Sequence, residues 1–188
     1  MVVPTRSART QSTDYDVFIY LPLVIGHGST TPPPSSDVVI NGDFEEGQVG
    51  WVEVSTYEYP LIVQASGLPN PITPQEGDWA VWLGGDSALS THIEQEITVP
   101  DTASELIYWH WIDSIFACNG SVGGVMLDGT YVDQYPLCTS ADTGGWVRRS
   151  VDLTAYAGQT VPLRFASQTE MDNYSSLYID TVFVQTIP

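Results

Sequence analysis

The stretch VGGVMLDGTYVDQY, Val122 to Tyr135, decides the fold class. Two short runs flank Asp128-Gly129, a pair that accepts the positive φ angles of a type I′ turn, so the stretch reads as a β-hairpin. Working outward, the pattern recurs: short runs rich in Val, Ile, Thr, Tyr and Trp lie between clusters of Gly, Pro, Asn and Asp, with no long stretch at helical spacing. Strands are predicted at Val38 to Phe44, Trp51 to Tyr57, Leu61 to Ala65, Trp79 to Leu83, His92 to Val99, Glu105 to Phe116, Val122 to Leu127, Thr130 to Tyr135, Trp146 to Leu153, Thr160 to Ser167 and Ser176 to Val184. Strands of this number and length suit an all-β sandwich of two sheets. Between two of them, DLTAYAG, Asp152 to Gly158, reads as a single helical turn with an Asp cap and a Gly stop.

The chain has 188 residues, 43% of them hydrophobic, enough for one substantial core. Its 23 acidic and 5 basic residues give a formal net charge of -18, and no lysine occurs. Nucleic acid is thereby excluded as a partner, because phosphate binding needs a cationic footprint, and anionic membrane surfaces are disfavoured for the same reason. The composition fits a secreted, extracellular or cell-surface protein kept soluble by acidic charge. Catalytic signatures are missing: there is no HExxH pair, no GxSxG elbow, no phosphate-cradling loop and no nucleotide fingerprint. The histidines are His27, His92 and His110, the last between two tryptophans where packing outweighs base chemistry. The expectation is a non-enzyme with no organic cofactor.

Residues 1–36 form a separate unit in this reading: a flexible tail, an apolar run and a proline-rich linker ahead of a domain over residues 37–188. The run is Val17, Phe18, Ile19, Tyr20, Leu21, Pro22, Leu23, Val24 and Ile25. It is too short for a transmembrane helix, which needs about 20 apolar residues. It also makes a poor export signal, since Asp14 and Asp16 stand where a basic region belongs. A β-strand with both faces buried remains, at an edge because of Pro22. The linker His27 to Asp37, at about 3.3 Å per extended residue, reaches roughly 30 Å. Pairing within its own sheet, donation to a neighbouring copy and service as an anchor or sorting segment all stay open.

Cys118 and Cys138 stand 20 positions apart, too wide for a redox pair and too few for a zinc site. One disulfide is the simple reading, two separate buried thiols the alternative. A bridge closing a loop of that length stabilises by roughly 3 kcal/mol.

Several segments together carry a family pattern: NGDFEEGQVGW from Asn41, GDWAVWLGG from Gly77, IEQEITVP from Ile93, the cysteine-flanked LDG hairpin, and TGGWVRRSVDLTAYAGQTVPLRF followed by LYIDTV. Over residues 38–186 the chain resembles the galactose-binding-like jelly rolls of secreted bacterial proteins, which are similar to carbohydrate-binding modules and to modules accompanying immune-inhibitor-type metallopeptidases. The resemblance implies a jelly-roll sandwich and supports pairing of Cys118 with Cys138. It also implies a structural calcium tying the first strand to the last, with Asp43 or Glu45 and Asp180 as the matching ligands. The chain departs from that pattern where Thr181 replaces a second acid.

Sugar recognition needs aromatic platforms beside polar groups. Trp109 and Trp111 alternate on one face of a strand, Tyr108 and His110 on the other, and either pair is a candidate to line a concave sheet, with sandwich core as the alternative. Trp79 and Trp82 have opposite parity and cannot both face the core. Asn119-Gly120-Ser121 and Asn173-Tyr174-Ser175 match the N-glycosylation pattern. Two functional expectations result. The leading one is a structural or adhesive subunit that donates Val17 to Ile25 head to tail to other copies, giving a filament. The other is a carbohydrate-binding module that takes a surface glycan.

Overall fold

The computed structural model describes residues 38–187. The apolar run Val17 to Ile25, its tail and its linker lie outside the described residues.

Ten strands run in chain order as β1 (Val52–Ser55), β2 (Ile62–Gln64), β3 (Trp79–Gly84), β4 (Ser90–Thr98), β5 (Ser104–Asp113), β6 (Val122–Leu127), β7 (Thr130–Pro136), β8 (Val147–Asp152), β9 (Thr160–Gln168) and β10 (Ser176–Thr186). They form two five-stranded sheets, ordered β1-β4-β9-β6-β7 and β2-β3-β10-β5-β8, with every pairing antiparallel. This is the all-β sandwich expected from the strand pattern. Period-2 alternation selects the face: in β4, Thr91, Ile93, Gln95 and Ile97 are buried, and in β9, Val161, Leu163, Phe165 and Ser167. The opposing sheet supplies Val81, Leu83, Leu106, Tyr108, Ile112, Leu177 and Ile179, and the two sets make one core.

The hairpin that fixed the fold class has the expected turn, with Asp128 at φ 46° and Gly129 at φ 73° joining β6 to β7. The disulfide Cys118–Cys138 brackets this hairpin. Thr154–Tyr156 is a 3-10 turn whose N-cap is Leu153 and not the expected Asp152, although Asp152 Oδ1 accepts from the Thr154 N–H at 2.8 Å from one position earlier.

One predicted strand is absent. Val38 to Phe44 turns instead, because Asn41 (φ 49°) and Phe44 (φ 61°) adopt left-handed backbone. The Asn41 amide donates to Gly47 O at 2.8 Å and Val49 O at 3.0 Å while its Oδ1 accepts from Glu46 N, which knots the segment into a loop. Its apolar residues still pack, with Val39 and Phe44 buried in the core.

Candidate functional site

Strand β5 sorts the expected sugar-binding residues onto opposite faces. Tyr108 and His110 point inward and are buried, so they are core residues and not a sugar platform. Tyr108 Oη donates to Asp133 Oδ2 at 2.7 Å, and Arg149 grips the same carboxylate through Nε at 2.9 Å and Nη2 at 2.7 Å. Asp133 stands on β7 and Arg149 on β8, so this bond joins the two sheets along one lateral edge. His110 lies edge-on to Tyr135, ring centroids 4.6 Å apart, and its Nδ1 has no hydrogen-bond partner. Burial, reinforced by the Arg149 charge, lowers the His110 pKa to about 4, so the ring is neutral near pH 7. Burial works to raise Asp133, but the bonds from Arg149 and Tyr108 outweigh it and hold the carboxyl below its ordinary range.

Trp109 and Trp111 face outward, each against other rings. Trp109 packs on Phe183 at 6.4 Å with Arg148 over its ring, and Trp111 meets Trp146 edge-on at 6.1 Å. The pairing register aligns Trp82, Tyr178 and Trp111 across β3, β10 and β5. Leu68 and Ile72, from the loop between β2 and β3, pack over this row, and Trp146 Nε1 donates to Thr73 O at 2.8 Å. Trp79, of opposite parity to Trp82, packs on the main core as parity requires.

The three expected calcium ligands do not form an oxygen cage. Asp180 Oδ2 accepts from Gln75 N at 2.7 Å and Glu76 N at 3.3 Å, and its Oδ1 from Thr181 N at 2.6 Å. Glu45 Oε1 accepts from Asp78 N at 2.9 Å and Trp79 N at 3.0 Å, while Asp43 Oδ1 faces Glu45 N. Among the described residues no group of three His, Cys, Asp or Glu side chains is arranged to hold a metal. The carboxylates clamp backbone instead. Burial pushes the Asp180 pKa up to about 7 against its hydrogen bonds.

Asn173 is fully buried and its amide donates to Asn119 Oδ1 at 3.0 Å, which removes it as a glycan acceptor. His92 lies on the outer face of its sheet beside the Arg164–Glu94 ion pair at 2.6 Å, with its pKa lowered by burial and then by Arg164.

Two open clefts lie along the other lateral edge, where β1 and β2 pass the chain from one sheet to the other, and a third, of about 330 Å³, lies beside Asp43, Glu46 and Thr181. A cavity of about 420 Å³ is lined by Tyr59, Pro60, Leu61, Val63, Trp82 and Asp86, together with Gly67, Gly84, Gly85 and Leu89. A second, of about 630 Å³, lies between Gln48, Glu53, Val54, Ser55, Glu58 and Trp79, and it shares Tyr59 and Pro60 with the first. Neither contains Trp109, Trp111, Tyr108 or His110. Sequence reasoning passed over Tyr59 and Asp86 and weighed Trp82 only for parity. The available signal was the pair of glycines in WLGGD: a Cβ on Gly85 (φ 81°) would lie 2.8 Å from Trp82 Nε1, so only glycine lets the indole lie against the turn. Trp82 Nε1 donates to Ser176 Oγ at 3.0 Å, which fixes the ring. The Tyr59 loop is pinned at both feet, by Thr56 N to Ser90 O at 3.2 Å and by Glu53, whose carboxylate accepts from Leu61 N at 2.8 Å and Ile62 N at 3.3 Å. The first cleft thus offers two aromatic walls, an apolar floor and one carboxylate. Asp86 Oδ1 accepts from Ser87 N, which leaves its other oxygen available.

A two-sheet sandwich of jelly-roll type with an aromatic cleft at its edge is the class that fold and site define together. No protein-family model matches the chain, and no curated protein matches it. Solved structures do share the fold. TmCBM61, a carbohydrate-binding module solved with β-1,4-galactotriose, matches at 15% identity and TM-score 0.58, over 80% of this chain and 98% of that one. The K3 cleaved adhesin domain of Lys-gingipain from Porphyromonas gingivalis matches at 13% identity and TM-score 0.57, over 79% and 99%. A cyclase from Fischerella sp. TAU matches at 14% identity and TM-score 0.51, over 80% and 96%. One fold thus carries a binder, an adhesin domain and an enzyme, so function has to be argued from the site.

Proposed function

We propose that the protein is a non-catalytic carbohydrate-binding module of an extracellular protein, with the cleft between Tyr59 and Trp82 as its sugar site. The cleft itself carries this reading. Its volume lies within the roughly 300–1,000 Å³ typical of small-molecule sites, and its apolar walls with one free carboxylate oxygen suit a sugar, whose C–H faces stack on rings while its hydroxyls donate to acceptors. The fold shared with a module that holds β-1,4-galactotriose supports the same class and supplies the first probe. The Cys118–Cys138 bridge and the absence of lysine support an oxidising, extracellular setting. Among the described residues no helix is long and apolar enough to cross a membrane. The donor-strand expectation rests on residues outside the described ones.

Isothermal titration of the full chain with β-1,4-galactotriose, beside affinity electrophoresis in neutral galactans and glucans, tests the reading. Binding by the native chain, weakened more than about tenfold by Tyr59→Ala and by Trp82→Ala with the fold intact by circular dichroism, is the expected result. Retardation by none of these glycans, or binding untouched in both variants, overturns it.

A further inference from the structure

Tyr59 and Pro60 belong to both clefts, so the two cavities lie on either side of one tyrosine. The ring is half exposed and packs at a tilt against the half-exposed Tyr57, centroids 5.8 Å apart, which makes it a ridge. Beyond that ridge the second cleft repeats the composition of the first: aromatic surface from Tyr59 and Trp79, an amide from Gln48 and carboxylates from Glu53 and Glu58. One of its polar groups is unspent, since the buried Ser55 hydroxyl has no hydrogen-bond partner.

Charge narrows the occupant. The carboxylic side chains lining the two clefts are Asp86, Glu53 and Glu58, and none of the arginines among the described residues, Arg148, Arg149 and Arg164, lines either cleft. An anionic sugar would enter this field unpaired, whereas a neutral one loses nothing.

Resting on the carbohydrate reading above, we infer that the site has two sugar positions, one on each side of Tyr59, and takes a neutral oligosaccharide chain laid across that ring. The first position is the Tyr59–Trp82–Asp86 cleft. The second is the Gln48–Ser55–Glu58 cleft.

Calorimetry with β-1,4-linked galactose and glucose series of one, two and three residues tests this on the full chain. Affinity for the better series should rise at least about tenfold from one sugar to three. Gln48→Trp plugs the second cleft from an exposed turn position and should abolish the rise. Val54→Trp, from the exposed face of β1, does the same by a different route and guards against misfolding of either variant. Trigalacturonate should bind no better than a monosaccharide. If the trisaccharide binds no tighter than the monosaccharide, or the rise survives both plugs, the second position is overturned and the first cleft stands. Equal affinity for trigalacturonate overturns the neutrality. Failure of both series and of every neutral polysaccharide overturns the carbohydrate reading and the two positions with it.

Discussion

The sandwich has two lateral edges that solve the same problem differently. At the β7/β8 edge a bidentate Arg149–Asp133 pair, with Tyr108 as a third partner, ties sheet to sheet, and Tyr135 and His110 fill the space beside it. At the β1/β2 edge the tie is one carboxylate, Glu53, accepting two backbone N–H groups, and clefts open beside it. The first arrangement saturates charged groups against each other, leaving nothing for a ligand to replace. The second keeps strand edges together with the least material and exposes aromatic rings. Packing density at an edge is therefore a choice between sealing and binding, and this molecule makes both choices.

The largest test of that contrast is removal of the sealing carboxylate. Asp133→Ala strands the Tyr108 hydroxyl and the inward Arg149 and should cost about 2 to 3 kcal/mol, discounted because the arginine is 41% exposed, with sugar affinity unchanged. Chemical denaturation read beside titration checks both halves. Next comes Glu53→Ala, which orphans two N–H groups for a loss of about 1 to 2 kcal/mol and, unlike the first variant, should weaken binding because it frees one foot of the Tyr59 loop.

Acid should separate the two sides further. His110 has a folded pKa near 4, below its unfolded value, so its contribution is present above about pH 6.5 and is lost as pH falls through 4. Asp180, which clamps the β2–β3 loop bordering the first cleft, has a folded pKa of about 7, above its unfolded value. Its contribution has the opposite sign: full below about pH 4 and lost as pH rises through 7. Melting temperatures between pH 4 and 8 should show the native chain losing about 3 °C relative to Asp180→Asn as pH rises, and gaining a similar amount relative to His110→Asn. Parallel slopes would erase the distinction. The smallest stability effect belongs to Tyr59→Ala, whose half-exposed ring should move stability by no more than about 0.5 kcal/mol while carrying the largest loss of binding.

Most strand positions were legible because alternation and turn chemistry are local. Asp128-Gly129 announced its hairpin, and the parity of β5 separated Tyr108 and His110 from Trp109 and Trp111. Parity cannot say which set faces inward, since both faces of YWHWI are aromatic, and the Asp133–Arg149 bond that settles it joins residues from different sheets. Val38 to Phe44 read as a strand because its apolar residues are real core residues, delivered by a loop instead of a ladder. The candidate site was the least legible part. Tyr59 stands 23 positions before Trp82, and they meet only because the chain changes sheets between β1 and β2. The galactose-binding-like resemblance carried over the fold and the disulfide, while Asp43, Glu45 and Asp180, its calcium ligands, stand as carboxylates that accept backbone N–H groups.

The disulfide has a mechanical meaning. In a chain drawn out by its ends, each residue released as strands peel away adds about 3.3–3.6 Å. The Cys118–Cys138 bond spans 20 positions that include all of β6 and β7, and force passes through the sulfurs instead of through the hairpin. Under tension the fully drawn chain is shorter by roughly 60 Å than its residue count implies, and the hairpin stays as an unloaded ring.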